Sequence, residues 1–523
     1  VGVSAFVHFV VAHRRDLWEQ AGRHLALTVV ALALAVASGL PLGLLLARHP
    51  KRAAPVLAFA SAVQTIPSLA LLGFLIPLTG IGAVPAIVAL FVYALVPILR
   101  NTITGVAGVD PSVREAAVGM GMTDREALRN VELPLAAPVV FAGVRTAAVV
   151  CVGVATLAAL VGGGGLGVYI FRGISLASTS MILAGALPSA LLALAIDAVL
   201  GLVERRFRTL ALPFAAIALA CALAVLGRGV LAHPRSPVLR IGVPAEFMER
   251  PDGYFGMRAR YGLSARPVEM DHGLMYRALA EGRIDAAVGY STDGEIAAFG
   301  FTVLADDRHY FPPYFAAPLA RRVLLERHPE VRAALERLAG RIDQATMSRL
   351  NAAVERDHVP AGEVAASFLA GLGLRLGPHR RTDAADVVIG SKIFAEQYVL
   401  AEMFADLVES YTGLGVRLVT GLGGTKICFE ALRKGEIDVY PEYTGTGLYA
   451  ILDASDEVRR GLDEDPARTF GYVRDAFRAR FGVEWLEPLG FENRYALIVS
   501  RETRLRFGAR TMSELASGLG SAR

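Results

Sequence analysis

Three cysteines in 523 residues are too few to frame this chain. Cys151 and Cys221 lie inside apolar runs and Cys428 lies far from both, so neither a disulfide framework nor a cysteine metal site is implied. Charge of one sign is equally scarce. The net charge is +4, and Lys and Arg are not gathered into one stripe with aromatics, which argues against a nucleic-acid partner. No G-x-x-x-x-G-K-[ST] loop occurs. Gly421-Leu422-Gly423-Gly424-Thr425-Lys426 comes nearest, but its first glycine is too close to the lysine for backbone amides to ring a phosphate. His272, with Asp271 and Asp293, has no second histidine at ligand spacing and no paired nucleophile, so the three read as structural. No catalytic residue, metal or cofactor is implied.

What is present is segregated. The chain is 54% hydrophobic yet 20% charged, and nearly all long apolar runs precede residue 232. Residues 1–20, with Trp18 and His13-Arg14-Arg15, read as an interfacial helix or the end of a span. Runs at 25–46, 54–78, 81–99, 135–161, 181–203 and 210–231 are each about the ~20 residues that cross a hydrocarbon core. The second is broken by Gln64-Thr65-Ile66-Pro67-Ser68. The basic loops are 48–52, 100–134 and 205–208. They place the N-terminus outside, loop 100–134 inside and everything after 232 outside; Arg14, Arg15 and Arg23 argue mildly the other way. Gly162 to Gly165 with Gly167 form an external loop, either hinge-like or a simple tight turn.

Between the third and fourth spans stands a polar stretch, Glu115 to Leu135. It reads Glu115-Ala116-Ala117, three residues, Gly121, nine residues, then Val131-Glu132-Leu133-Pro134. Asp110 and Pro111 predict an N-cap and first helical position for two turns up to Gly121. Asp124, Arg125, Glu126 and Arg129 are expected to face water or a partner. The spacing resembles the EAA loop of ABC-importer permeases, which implies docking on a separate ATPase dimer through Glu115, Ala116, Ala117, Gly121, Leu133 and Pro134. Gln64 to Ala70 and Leu95 to Thr102 resemble the permeases of glycine betaine/choline/carnitine importers. That resemblance covers most of 20–210 and implies an all-α, MetI-like membrane core and a permease homodimer in the cell membrane.

The remainder reads as a soluble α/β unit after a Pro-containing linker, 232–239. The pattern Ala278-Leu279-Ala280-Glu281-Gly282-Arg283-Ile284-Asp285 repeats as Ala431-Leu432-Arg433-Lys434-Gly435-Glu436-Ile437-Asp438. Each predicts a helix, a glycine C-cap and a strand, hence two lobes of similar build with mostly parallel sheets. Gly390 to Gln397, Gly423 to Lys426 and Tyr440 to Gly447 resemble the first part of the osmoprotectant receptor of these importers. Glu249 to Gly253, Asp271 to Gly273, Tyr290 to Glu295 and Phe311 to Tyr314 resemble its second part. The implied fold is a two-lobed periplasmic-binding-protein type. The expected division is 1–20, permease 21–209, last span and linker 210–238, and receptor 239–523, with 239–370 matching the family's second part and 387–523 its first. The exchanged order points to a circular permutation, with lobe crossings near 300–310 and 490–495; a tandem or truncated chain is the alternative.

A quaternary ammonium offers no hydrogen-bond donor, so a protein holds it by dispersion and electron-rich ring faces. The resemblance assigns Tyr290, Tyr314, Tyr443 and Tyr495 to such a cage. It assigns Lys392 and Arg250 to a ligand carboxylate, and Thr446 and Asn493 to hydrogen bonds. In the family an acidic residue at the Thr446 position accompanies choline selectivity, so threonine leans towards betaine-like ligands. The expected function is import of glycine betaine, carnitine, choline or ergothioneine by a permease with a fused extracytoplasmic receptor. The rivals are an importer of another zwitterion, such as an amino acid, and a ligand-sensing membrane protein.

Overall fold

The structure, a computed structural model, describes residues 3–205, 239–378, 381–462 and 465–521. The expected span 210–231, Cys221 and the linker up to 238 lie outside the described residues. Two compact units lie on either side of that segment.

Among the described residues of the first unit, four helices are long and apolar enough to cross a membrane: Arg14–Ala47, Ala83–Ala107, Asp124–Val161 and Thr179–Arg205. Residues 1–20 are therefore not one interfacial helix: Val3–Ala12 is a helix of its own, and from Arg14 on the chain is already part of the first span. Charge interrupts the hydropathy there but not the backbone hydrogen bonding, and the helix runs straight into the first span. The expected second span is interrupted where Gln64 to Ser68 predict a break. Pro50–Gln64 and Ser68–Thr79 are two helices bent by 94°. Pro67 has no N–H to donate and disfavours helical backbone at Ile66, so the helix stops before it. The carbonyl freed at Ile66 accepts from the Tyr93 hydroxyl, which meets the demand that broken backbone at membrane depth be satisfied by protein.

Small residues let the spans approach. A Cβ on Gly43 would lie 2.7 Å from Thr102 Cβ, and one on Gly143 would lie 2.5 Å from Asn101 Cβ. The Gly162–Gly165 loop is a pinned turn. Gly165 N donates to Gln20 Oε1 at 2.9 Å and Leu166 N to His24 Nδ1 at 3.3 Å. With Nδ1 accepting, the buried His24 turns Nε2 to Val152 O at 3.0 Å as donor.

The described residues of the second unit hold ten strands in two five-stranded sheets. They are β1 (Leu239–Val243), β2 (Ala265–Glu269), β3 (Ala286–Tyr290), β4 (Thr302–Val303), β5 (Ala316–Arg321), β6 (Val387–Gly390), β7 (Val416–Val419), β8 (Val439–Tyr443), β9 (Val483–Trp485) and β10 (Tyr495–Val499). The orders are β2-β1-β3-β10-β4 and β7-β6-β8-β5-β9. The two lobes thus have the same layout. In each sheet the first three strands are parallel, and the fourth, β10 or β5, runs against its neighbours.

The repeated Ile-Asp ending has a physical purpose. Asp285 accepts from Arg240 N at 2.8 Å, and Asp438 from Val388 N at 3.0 Å, so each aspartate satisfies an N–H of the neighbouring parallel strand. Gly435, at φ +76°, closes the helix Thr425–Lys434 as the expected left-handed cap. The chain passes between lobes twice, from β4 to β5 and from β9 to β10. Each sheet's antiparallel strand follows such a crossing. The two crossings are tied together: Phe315 bridges Glu492, and Asn493 N donates to Tyr314 O at 2.9 Å.

Candidate ligand site and coupling surface

Ligands of open α/β sheets bind beyond the carboxyl ends of the parallel strands. Tyr290 is the last residue of β3 and Tyr443 the last of β8, so the two occupy equivalent places in the two lobes. Tyr495 opens β10 opposite Tyr290, and Tyr314 precedes β5 opposite the Tyr443 end. The antiparallel fourth strand therefore brings a second tyrosine to each strand end.

The four rings form one row. Tyr290 and Tyr495 have centroids 5.1 Å apart, and Tyr495 meets Tyr314 edge-on at 6.1 Å. Phe394 joins the other lobe, stacking on Tyr290 at 5.3 Å and lying 6.4 Å from Tyr443. Phe247 adds a contact to Tyr495 at 4.6 Å. All four tyrosine hydroxyls are held protonated far above their ordinary value, chiefly by burial.

Both expected cations stand beside this row, and neither is free. Lys392 Nζ is 2.5 Å from Glu442 Oε1 and 5.1 Å from the Tyr443 ring centre. Arg250 grips Asp252 with both arms, Nε to Oδ1 at 2.9 Å and Nη2 to Oδ2 at 2.8 Å. It also donates to the Tyr314 hydroxyl at 2.8 Å and lies 5.4 Å from the Tyr495 ring centre. Glu246 lies 3.4 Å from its third nitrogen. Tyr314 in turn donates to Asp252. A buried cation without such partners is costly, which accounts for the carboxylates.

Asn493 is buried and donates to Glu396 Oε1 at 2.9 Å, leaving its own Oδ1 unpartnered. Thr446 is buried in the single turn after Tyr443, but the crossing is gripped by Thr444 instead. Its hydroxyl donates to Pro313 O and accepts from Phe315 N, each at 3.0 Å. Sequence reasoning gave no role to Phe394, Glu396 or Gln397, although all three fall within the motif Gly390 to Gln397. Gln397 Nε2 donates to the Tyr443 hydroxyl at 3.1 Å. His272 pairs with Asp293 at 3.0 Å, and among the described residues no cluster fit for a metal ion occurs.

In the membrane unit, Asp110 caps the helix Pro111–Gly119 by accepting from Ser112 N at 2.8 Å. Glu115 and Ala116 are exposed, Ala117 is buried, and Val118 and Met120 leave apolar side chains in the open. Gly121 turns the chain at φ +85°. Thr123 and Glu126 form a capping box for the next turn. Asp124, Arg125, Glu126 and Arg129 are exposed, and Leu133 and Pro134 open the fourth expected span. The motif alone gave no hint that Glu132 is buried between Arg114 at 3.3 Å and Arg48 at 3.7 Å.

Comparison with known proteins places these units. Residues 231–371 and 385–520 match the family described as the substrate binding domain of the ABC-type glycine betaine transport system. Residues 39–209 match the binding-protein-dependent transport system inner membrane component. The glycine betaine/carnitine/choline transport system permease protein OpuCB of Bacillus subtilis is 48% identical over 204 residues, 39% of this chain and 94% of that protein. The osmoprotectant import permease protein OsmW of Salmonella typhimurium is 45% identical over 196 residues, 36% of this chain and 91% of that protein. A solved structure of a glycine betaine/carnitine/choline ABC transporter is 38% identical, covering 27% of this chain and 51% of that one with a TM-score of 0.24.

A multi-pass helical unit and a two-lobed binding unit on one polypeptide define an importer subunit that carries its own receptor. The chain belongs to the permease family of binding-protein-dependent ABC importers and bears the substrate-binding domain of the glycine betaine transport system.

Proposed function

We propose that the substrate is a small trimethylammonium solute such as glycine betaine, carnitine, choline or ergothioneine. One observation carries the reading: four tyrosines from four separate chain segments stand at the strand ends of both lobes, three in contact and Tyr443 joined to them through Phe394. Ring faces are what a cation without donors requires. The permease relatives named for the same solutes support it. Lys392, Arg250, Thr446 and Asn493 complete the site in this reading. A ligand carboxylate would have to compete for Lys392 with Glu442 and for Arg250 with Asp252.

The wider assembly follows the same reading. Two copies of the chain enclose the pathway, the receptor lies on the extracytoplasmic side of the cell membrane, and a separate ATPase dimer docks on Glu115–Gly121 and the Leu133-Pro134 turn. The exposed Val118 and Met120 give that dimer an apolar foothold. The receptor's two parts stand in exchanged order, as a circular permutation. The match in two separate blocks and the two like sheets joined by double crossings support this.

Calorimetry on the full chain in lipid nanodiscs tests the substrate. Glycine betaine or another trimethylammonium compound should bind, and Tyr443→Ala should weaken binding by about 30-fold or more, as loss of a desolvated ring–cation contact implies. Binding of a polar amino acid with no response to any trimethylammonium compound would overturn the assignment.

A further inference from the structure

The charges around the tyrosine row do not balance. Lys392 is matched by Glu442, and Arg250 by Asp252 with Glu246 nearby. Glu396 is a further carboxylate, fully buried, and its hydrogen-bond partners are all neutral. It lies in the first turn of the helix Ala395–Thr412, where the free N–H groups favour a negative charge. Oε1 takes the Tyr443 hydroxyl at 2.6 Å and Asn493 Nδ2 at 2.9 Å, and Oε2 takes Asn351 Nδ2 at 3.0 Å. Burial raises the pKa of Glu396, and these donated bonds partly offset it; three donors and no acceptor are the partners an ionised carboxylate takes.

We propose that Glu396 is a positioning residue that makes the tyrosine row selective for net positive charge, acting through the Tyr443 phenol. A phenol that donates to a carboxylate gains electron density on its ring, and that face is the one a quaternary ammonium meets. The carboxylate also adds a negative field in a site from which water is excluded. Through Asn493 it reaches the segment between Tyr314 and Tyr495, because Asn493 N is bonded to Tyr314 O. A bound cation supplies the positive charge that the protein leaves out. This inference rests on the trimethylammonium reading above.

The test compares choline, a cation, with glycine betaine, a zwitterion, on the full chain in nanodiscs. E396Q keeps the side chain's shape and its acceptor for Tyr443. It should weaken choline binding by about 30-fold and glycine betaine binding by only about threefold, because loss of the carboxylate also relieves repulsion of the betaine carboxylate. E396D, which keeps the charge, should preserve the wild-type ratio of the two affinities. Y443F, which removes the donated proton and leaves the carboxylate, should weaken both ligands by a similar factor, since both carry the trimethylammonium that meets the ring, and it tests the phenol's part should E396Q not fold. An unchanged ratio in E396Q, unchanged affinities in Y443F, or equal losses for both ligands in E396Q accompanied by a lower melting temperature would overturn the inference while leaving the substrate reading intact. A wild-type chain that binds neither compound overturns the substrate reading, and this inference with it.

Discussion

A lysine and an arginine assigned to a ligand's carboxylate each arrive with a carboxylate of their own. The assignment was legible because Lys392 and Arg250 sit in recognisable motifs. Their partners were not. Glu442 is fifty residues from Lys392 and is brought to it by the pairing of β6 with β8. Glu396 was equally hidden. Next to a helix start it reads as an ordinary N-terminal carboxylate, and only the fold shows Tyr443, Asn351 and Asn493 closing on it. At the same scale lies a pH response. Burial lowers the pKa of His272, but Asp293 outweighs it and raises the value from 6.5 to about 9. Burial, with Asp293 and Glu295, raises Glu355 from 4.5 to about 8. The histidine's stabilising charge is fully present below its unfolded pKa and is lost as pH climbs through its folded one. The folded glutamate keeps a proton that the unfolded chain has already shed, so its contribution also falls as pH rises. The receptor's melting temperature should therefore drop between about pH 6 and 9. His272→Gln and Glu355→Gln should each flatten that slope; a wild-type curve that rises over this range would refute the argument.

At the scale of elements, hydropathy and capping signals located most helices. Asp110 and Pro111 announced the start of the helix Pro111–Gly119, and the structure has it there. The exceptions have physical causes. The Pro67 break is legible in the sequence but its 94° angle is not, since a bend leaves the mean hydropathy unchanged. The first span begins earlier than its apolar run because charged side chains on an exposed helix face cost the helix little. The repeated helix–glycine–strand pattern gave both lobes but not the reversed fourth strand, which depends on a crossing that no local signal encodes. The helix Pro111–Gly119 is nine residues long, too short to be stable without its ends and its packing. Asp110→Ala removes the cap and should cost about 1 kcal/mol, which is about fivefold faster amide exchange over residues 112–119. Substrate uptake should fall while ligand affinity stays at the wild-type value. Exchange unchanged from wild type would show that the helix is held by its packing alone.

At the scale of the molecule, the helical unit has two distinct ends. At one, Arg48 bonds the Asp124 carbonyl at 3.1 Å and pairs with Glu132, which also pairs with Arg114, so the loops 48–52 and 110–132 come together. Lys51, Arg52, Arg125 and Arg129 are exposed there. At the other, Gly82 N bonds Val161 O at 2.6 Å and joins two loops with no lysine or arginine of their own. Basic loops are retained in the cytoplasm, so the orientation proposed above puts the first end inside, against the weaker pull of Arg14, Arg15 and Arg23. Thr179–Arg205 ends on a basic residue, at the inner end in that orientation. Thiol labelling decides this. Cys151 and Cys428 are buried, so Cys221→Ser supplies a quiet background. In intact cells a membrane-impermeant maleimide should label Lys434→Cys at once and Ser112→Cys only after the membrane is permeabilised, both positions being exposed on their units. Labelling of Ser112→Cys from outside would invert the whole orientation. Protection of both sites in intact cells would put the receptor on the cytoplasmic side, where a binding domain could not deliver substrate to an importer, and the assembly argued for this chain would fall with it.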